Sequence, residues 1–276
     1  MTTAAPFEDK TILLGALRFH FREWPNPGAP AALLLHGFTG QRHSFDDLGP
    51  LLQARYRVVA LDQRGHGDSD WADDYATDRM AEDVDAFVDA LRLAPVSLLG
   101  VSMGGRNAYT FAGRHPEKVA RLALVDIGPE TPAAGRARIQ QVTQAKVVFD
   151  DPEEAVAAAR AYSPRHDVDA VRQRVMTNVR RLDDGRWTWK YDPALHSRER
   201  RPHPDPETGW ALLPRITCPV LLLHGVESDV LAPETAARMA REIADCRLID
   251  IPGAGHAIAM DNPRAYVDAV QGFFLT

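Results

Sequence analysis

The stretch GVSMGG, residues 100–105, places a serine between two glycines directly after an apolar run. The run at residues 96–99 predicts a buried strand, and residues 103–114 predict the helix that follows it. A strand that passes straight into a helix through Gly-x-Ser-x-Gly holds the serine in a strained turn, with its hydroxyl exposed above the edge of the sheet. Ser102 is therefore the first candidate for a nucleophile.

Short apolar runs of the same kind recur along the chain and predict strands that are buried on both faces. They lie at residues 31–36, 57–61, 96–99, 122–127, 220–224 and 248–251. Amphipathic helical periodicities lie between them, and Leu17, Phe19 and Phe21 alternate with polar residues as in a half-exposed antiparallel strand. This pattern predicts the α/β class, with a mostly parallel, twisted sheet and helices on both faces.

Residues 129–214 break the alternation of strands and helices. Helical stretches are predicted at residues 152–162 and 168–182, and the segment contains no apolar run typical of a buried strand. We therefore expect residues 1–128 and 215–276 to form one α/β core and residues 129–214 to form an inserted helical cap, or lid.

The composition of the chain argues against several classes of protein. The 276 residues carry a net charge of −6 and lack a dense basic block, which argues against nucleic acid as a partner. No apolar stretch approaches the roughly 20 residues of a membrane span, and the first ten residues do not resemble a signal peptide. Cys218 and Cys246 lack metal-ligand spacing, which predicts free thiols. We expect a cytoplasmic protein with a small-molecule substrate and without metal or cofactor; oligomeric state is left open.

A serine nucleophile needs a base and an acid that orients the base. His256, within GAGHAI, follows the apolar run at 248–251 and is flanked by small residues, so it is the candidate base. Asp229 follows the run at 220–224 and gives the chain order Ser, Asp, His, which favours it as the acid. Asp126, at the end of the run at 122–127, is the competitor; its alternative role is to cap the loop that leads into the cap.

An oxyanion needs two backbone donors. The N–H of Met103 directly follows the nucleophile at a helix N-terminus, where the helix dipole favours negative charge. The second candidate is the N–H of Phe38 in HGFTG, residues 36–40, because the preceding Gly37 lets this amide point at a ligand.

Five motifs in this order resemble the α/β-hydrolase superfamily: HGFTG (36–40), LDQRGHGDS (61–69), GVSMGG (100–105), HGVESD (224–229) and GAGHAI (253–258). The resemblance spans nearly the whole chain apart from residues 129–214. It implies a catalytic role for Ser102 and a loop-bracing role for Asp62, Arg64 and Gly67. Serine at the elbow, where similar epoxide hydrolases and dehalogenases have aspartate, disfavours alkyl-enzyme chemistry.

Acyl transfer to water is the reaction that remains. The leading hypothesis is a serine hydrolase that cleaves a small-molecule carboxylic ester, thioester or lactone through an acyl-enzyme on Ser102. One alternative is a carbon–carbon bond or enol-lactone hydrolase of ring-cleavage products. A second alternative, from another class, is a ligand receptor that retains the triad.

Substrate selection is expected to lie in the cap. Trp187, Trp189, Tyr191 and Trp210 are candidates for an apolar pocket, with packing inside the cap as the alternative. Five arginines are candidates for binding a carboxylate, with a solvated surface as the alternative for most of them. They are Arg180, Arg181, Arg198, Arg200 and Arg201.

Overall fold

A computed structural model describes residues 6–162, 166–202 and 205–276, and eleven strands lie in these ranges. The strands are β1 (Glu8–Leu14), β2 (Leu17–Trp24), β3 (Ala31–Leu35), β4 (Arg57–Leu61), β5 (Val96–Val101), β6 (Val119–Val125), β7 (Val148–Phe149), β8 (Val179–Arg181), β9 (Trp187–Trp189), β10 (Val220–Gly225) and β11 (Cys246–Ile251). The first ten residues do not resemble a signal peptide in sequence, and residues 1–5 of them lie outside the described residues.

Eight strands form one sheet in the order β1-β2-β4-β3-β5-β6-β10-β11. The pairs from β4 through β11 are all parallel, whereas β2 pairs antiparallel with both β1 and β4. The predicted α/β class and mostly parallel sheet are thus confirmed. Strands β5, β6 and β10 are neighbours, so the loops that follow them meet at one edge of the sheet.

Ten α-helices accompany these strands in the described ranges. They are α1 (Gly49–Leu52), α2 (Thr77–Ala90), α3 (Met103–Arg114), α4 (Ala133–Thr143), α5 (Pro152–Tyr162), α6 (Val168–Asn178), α7 (Pro206–Leu212), α8 (Pro233–Glu242), α9 (Ile258–Asp261) and α10 (Pro263–Phe274). Alternate strand residues supply two cores: Leu33 and Leu35 pack with α2, α3 and α8, whereas Ala32 and Leu34 pack with α1 and α10. Helices therefore cover both faces, as predicted. 

Residues 129–214 contribute no strand to the eight-stranded sheet within the described part of the chain. They form α4 to α7 and a separate antiparallel sheet in the order β7-β9-β8. The helix predicted over 168–182 ends at Asn178, and β8 follows it. The three strands have only two or three residues each, too few to produce a recognisable apolar run, so the sequence predicted helices alone.

Strand β1 was also missed from the sequence. It pairs with β2 along its whole length but lies at the sheet edge, where none of its residues is buried. Its sequence, EDKTILL, is polar over the first four residues and apolar over the last three, so it lacks the apolar alternation of a half-buried strand. Cys218 and Cys246 are free thiols. No helix among the described residues has the length and apolar character needed to cross a membrane.

Candidate active site

Ser102 lies in a strained turn between β5 and α3. Its backbone has φ 51° and ψ −115°, in the left-handed half of the map that residues other than glycine seldom adopt. A Cβ on Gly104 would overlap the carbonyl oxygens of Leu35 and His36, so glycine lets α3 pass close to the end of β3. The Ser102 N–H donates to the Val125 carbonyl at 3.0 Å, which ties the turn to the end of β6.

The structure brings Ser102, His256 and Asp126 into one hydrogen-bonded chain. Ser102 Oγ lies 2.9 Å from His256 Nε2, and His256 Nδ1 lies 2.7 Å from Asp126 Oδ2. Asp126 is 0% exposed and accepts two further hydrogen bonds, from the Gly225 N–H at 3.0 Å and from Ser228 Oγ at 2.5 Å. The buried carboxylate is thus fully hydrogen-bonded, as a buried charge must be to be stable.

The placement of Asp229 corrects the sequence-based choice of the acid. Asp229 lies on the loop after β10, 3.3 Å from Arg138 Nη1 of α4, and the carboxylate against His256 is Asp126. Asp126 directly follows β6, whereas Asp229 comes four residues after β10 ends, and that short loop turns it toward α4. Chain order alone could not distinguish the two, because β6 and β10 are adjacent in the sheet.

The loop after β3 orients the amide of Phe38. His36 Nδ1 and the Gly40 N–H both lie within hydrogen-bond distance of the Gly37 carbonyl oxygen, at 2.8 and 2.9 Å. Because a trans peptide points its C=O and N–H in opposite directions, these bonds set the direction of the Phe38 N–H. A Cβ on Gly37 would lie 3.5 Å from Ser102 Cβ, so this peptide is next to the serine.

Two candidate oxyanion donors therefore lie near Ser102. Met103 is the first residue of α3, so its N–H has no acceptor within the helix. Neither this N–H nor that of Phe38 donates a hydrogen bond to another residue in the described ranges.

Two buried histidines contact the loop that contains Phe38. Burial, together with the nearby charge of Arg174, lowers the pKa of His36 to about 4, so its neutral ring accepts from the Gln63 N–H through Nε2. Burial lowers the pKa of His66 to about 3, and His66 Nε2 lies 2.7 Å from the Phe38 carbonyl oxygen. Together with the contact of His36 Nδ1 to the Gly37 carbonyl, the His66 contact holds the peptides on both sides of Phe38.

The residues predicted to brace the loops do make such contacts. Asp62 is buried and accepts from the backbone N–H groups of Arg42 and Asp68, at 2.6 and 3.0 Å, and pairs with the Arg42 guanidinium. Arg64 pairs with Asp83 of α2. Gly67 has φ 58°, and a Cβ there would overlap Asp62, so this turn requires glycine.

The aromatic residues proposed for a pocket separate into two groups. Trp210 is buried in the core beneath the sheet, where its Nε1 donates to Glu130 at 2.6 Å, and Trp187 packs at the edge of a cluster around Phe149. Trp189 stacks on Tyr191 with ring centroids 5.9 Å apart. Tyr191 lies 6.0 Å from the Phe38 ring, so this stack, but not Trp210, reaches the candidate oxyanion loop.

One functional candidate was missed from the sequence. Ser228 directly precedes the favoured Asp229, and its hydroxyl, which accepts from the N–H groups of Val230 and Leu231, has its proton free for Asp126. Among the described residues no group of three or more His, Cys, Asp or Glu is arranged to hold a metal ion.

A serine in a sheet-to-helix turn, a histidine and a buried aspartate define a chain of groups able to move a proton from the serine hydroxyl. The chain belongs to the alpha/beta hydrolase fold family, whose sequence profile matches residues 30–263.

The similarity to known proteins and solved structures extends over nearly the whole chain. It is 30% identical to a 3-hydroxybutyrate-oligomer hydrolase of Cupriavidus necator, with 94% of both chains covered. It is 28% identical to an esterase of Mycobacterium tuberculosis, with 88% of this chain and 82% of that one covered. The crystal structure of an E-2-(acetamidomethylene)succinate hydrolase has the same fold: its TM-score is 0.86 at 24% identity, and 98% of this chain and 100% of that chain are covered. These three proteins are hydrolases, and the chain is a hydrolase of this family.

Proposed function

We propose that the protein is a serine hydrolase that cleaves a small-molecule carboxylic ester through an acyl-enzyme on Ser102. One observation carries the proposal: the continuous chain from Ser102 Oγ to His256 Nε2, at 2.9 Å, and from His256 Nδ1 to Asp126, at 2.7 Å. Both distances lie within the range of proton transfer along hydrogen bonds. The side chain of His256 is 23% exposed, so substrate and water have access to its ring.

In the first half of the reaction, His256 Nε2 takes the proton of Ser102 as the hydroxyl oxygen attacks the ester carbonyl. The buried Asp126 holds the ring so that Nδ1 carries its proton toward the carboxylate, and it stabilises the imidazolium that forms. The N–H groups of Phe38 and Met103 donate to the oxyanion of the tetrahedral intermediate. His256 then gives the proton to the departing alcohol, which leaves an acyl-enzyme.

In the second half, water attacks the acyl group while the same histidine takes a proton from it. The collapse of the second tetrahedral intermediate releases the acid, and the proton returns from His256 to Ser102 Oγ. Water supplies the new hydroxyl of the acid and the proton that replaces the one Ser102 gave to the alcohol, so the products are one acid and one alcohol.

We further propose that residues 129–214 act as a cap over this site. Two hydrogen bonds between this segment and the loop after β3 support the idea: Gln41 Nε2 donates to the Thr177 carbonyl at 2.6 Å, and Asn178 Nδ2 donates to the Thr39 carbonyl at 2.8 Å. The end of α6 is thereby held against the loop that contains Phe38. A substrate on Ser102 would lie between the two.

The names of the relatives favour ester chemistry. An esterase and a hydrolase of 3-hydroxybutyrate oligomers, which are joined by ester bonds, are similar over most of the chain. A carbon–carbon bond or enol-lactone hydrolase is the second candidate, favoured by the Arg201 guanidinium on the ring of Phe38, which suits the carboxylate of a ring-cleavage product.

Stopped-flow assays separate these candidates. We expect p-nitrophenyl hexanoate to give a burst of p-nitrophenol that equals the enzyme concentration, followed by slower turnover, and Ser102→Ala to remove both phases. Negligible ester turnover with fast cleavage of a vinylogous diketone acid would replace the ester hydrolase with the carbon–carbon bond hydrolase. A biological effect that persists in Ser102→Ala would instead favour a receptor.

A further inference from the structure

His166 and Asp261 join residues 129–214 to the loop that precedes His256. His166 Nε2 lies 2.8 Å from Asp261 Oδ1, and the Gly255 N–H donates to Asp261 Oδ2 at 3.0 Å. One carboxylate therefore contacts both this segment and the residue directly before His256. The side chains of His166 and Asp261 are 6% and 13% exposed, so water and salt screen their contact only weakly.

Asp261 is the last residue of α9, the short helix that begins two residues after His256. The N–H groups of Met260 and Asp261 donate to the Ala257 carbonyl at 2.8 and 2.9 Å. The hydrogen bond from Gly255 to the Asp261 side chain closes this segment from the other end. The backbone on both sides of His256 is thus fixed to one residue, Asp261.

A shift of Gly255 would reach the acid as well as the histidine. A Cβ on Gly225 would overlap the Gly255 carbonyl oxygen, so the two backbones lie in contact. The Gly225 N–H is one of the donors to Asp126. The position of Gly255 therefore affects His256, its neighbour in the chain, and the hydrogen bonds of the acid.

Residues 129–214 contact α9 at two further points. Met260 packs against the cluster around Phe149, whose buried members all lie in this segment. Arg174 of α6 places Nη1 2.9 Å from Met260 Sδ and Nη2 3.4 Å from Thr39 Oγ1. The segment therefore contacts both the helix that follows the candidate base and the loop after β3.

The contact with Asp261 accounts for a histidine at position 166. The Nδ1 atom of His166 is buried and has no hydrogen-bond partner among the described residues. An apolar side chain could fill the same space without the free-energy cost of a buried polar atom that lacks a partner. The hydrogen bond through Nε2 is therefore the contribution that a histidine makes here.

We propose that Asp261 is a positioning residue for His256, and that His166 couples the docking of residues 129–214 on the core to the position of that base. The proposal rests on the hydrolase and cap functions proposed above and adds how the cap acts on the histidine. With the segment docked, His166 holds the Asp261 carboxylate, the carboxylate holds Gly255, and the imidazole stays within reach of the serine. Asp261 and His166 act only through the backbone next to the base.

Steady-state kinetics with p-nitrophenyl hexanoate tests the role of Asp261. Asp261→Ala removes both hydrogen bonds, and kcat should fall about 10-fold or more with KM within about 3-fold of wild type, because a misplaced base slows chemistry more than it weakens binding. Asp261→Asn keeps an oxygen that can accept from the Gly255 N–H, so it should retain most of the rate. Unchanged kcat in folded Asp261→Ala, or a change confined to KM, would overturn the proposal.

Asp250→Ala is the matched control. His224 Nδ1 lies 2.8 Å from Asp250 Oδ1, and the His224 side chain is 5% exposed, so this contact has the same length and a similarly buried histidine. It joins β10 to β11 and not the loop before His256. Asp250→Ala should leave kcat within about 2-fold of wild type. A loss as large as that of Asp261→Ala would overturn the specific role of Asp261.

A double-variant cycle tests the coupling through His166. His166→Ala should lower kcat by about 3- to 10-fold, and His166→Gln, whose amide nitrogen can donate to Asp261, should restore most of it. In the Asp261→Ala background, His166→Ala should cause no further loss, because the contact that it removes is already absent. Losses that multiply in the double variant, or no rescue by glutamine, would overturn the coupling.

Amide hydrogen exchange measured by NMR separates failure of the coupling from failure of the hydrolase, because it needs no substrate. Exchange of the Gly255 N–H should be about 10-fold or more faster in Asp261→Ala, faster in His166→Ala and unchanged in Asp250→Ala. These changes without ester turnover in wild type would retain the coupling and reject the ester hydrolase. Ester turnover with equal Gly255 exchange in wild type and His166→Ala would do the reverse.

Discussion

The sheet edge beside His256 and the surroundings of the Phe38 ring differ in how their charged groups are paired. At the edge, the one fully buried carboxylate beside His256 accepts three hydrogen bonds, and His36 is kept neutral by burial. Around Phe38, the Arg201 guanidinium instead lies 4.1 Å from the centroid of the aromatic ring, and its Nε donates to the Leu195 carbonyl at 3.0 Å. The difference teaches that the groups proposed for chemistry have their hydrogen-bond partners within the protein, whereas Arg201 has no carboxylate partner among the described residues.

The largest expected effect on kcat comes from replacing Asp126, the carboxylate that contacts His256. Asp126→Asn should lower kcat by roughly 10³- to 10⁴-fold, because the amide no longer holds His256 with its proton on Nδ1. Asp229→Asn is the matched control and should change kcat by less than about 3-fold, since Asp229 contacts Arg138. Steady-state kinetics with p-nitrophenyl hexanoate measures both. The reverse ranking would return the role of the acid to Asp229.

The neutral histidines beneath the Phe38 loop should make stability depend on pH. Burial lowers the pKa of His36 to about 4, below the value of about 6.5 in the unfolded chain, so the unfolded state binds more protons between these values. The free energy of unfolding therefore falls as pH decreases through this window, by about 2 kcal/mol from this group between pH 6.5 and 5.

Urea unfolding of wild type and His36→Gln at pH 5 and pH 7.5 checks that contribution. The variant should be less stable at pH 7.5 because it loses the bond to Gly37, and it should lose less stability than wild type on going to pH 5. Equal losses in the two proteins would show that His36 is not held neutral.

A smaller effect is expected when one of the three hydrogen bonds to Asp126 is removed. Ser228→Ala deletes the hydroxyl that lies 2.5 Å from the carboxylate, and kcat should fall about 10-fold with KM unchanged, because Ser228 acts only by positioning Asp126. Ser228→Thr, which retains the hydroxyl, should restore most of the rate. A change confined to KM, or no rescue by threonine, would contradict this role.

Much of the fold follows from the sequence because the buried parallel strands are continuous apolar runs, from 31–36 to 248–251. Strand β1 and the three short strands between β6 and β10 escape that pattern, since an edge strand and strands of two or three residues have no regular apolar signature. Burial of Trp210 in the core likewise depends on packing between distant helices, which its local sequence does not reveal.

The candidate site was predictable in its motifs and not in its loop conformations. Ser102 and His256 follow from local glycine-rich turns, and the structure places them 2.9 Å apart. The choice between Asp126 and Asp229 depends on how the loop after Gly225 turns, which residue spacing cannot supply. Arg201 could not be distinguished from Arg200 in sequence, because only the fold pairs one with Asp73 and stacks the other on Phe38.

Covalent labelling with a fluorophosphonate tests the central claim most directly, because it reports attack by the activated serine without requiring a known substrate. After trypsin digestion and tandem mass spectrometry, wild type should carry one label, on Ser102 within the peptide of residues 93–106. Asp126→Asn should label on the order of 10³-fold more slowly and Asp229→Asn at the wild-type rate. A label on any other residue, or slow labelling in Asp229→Asn with an unchanged rate in Asp126→Asn, would contradict the account.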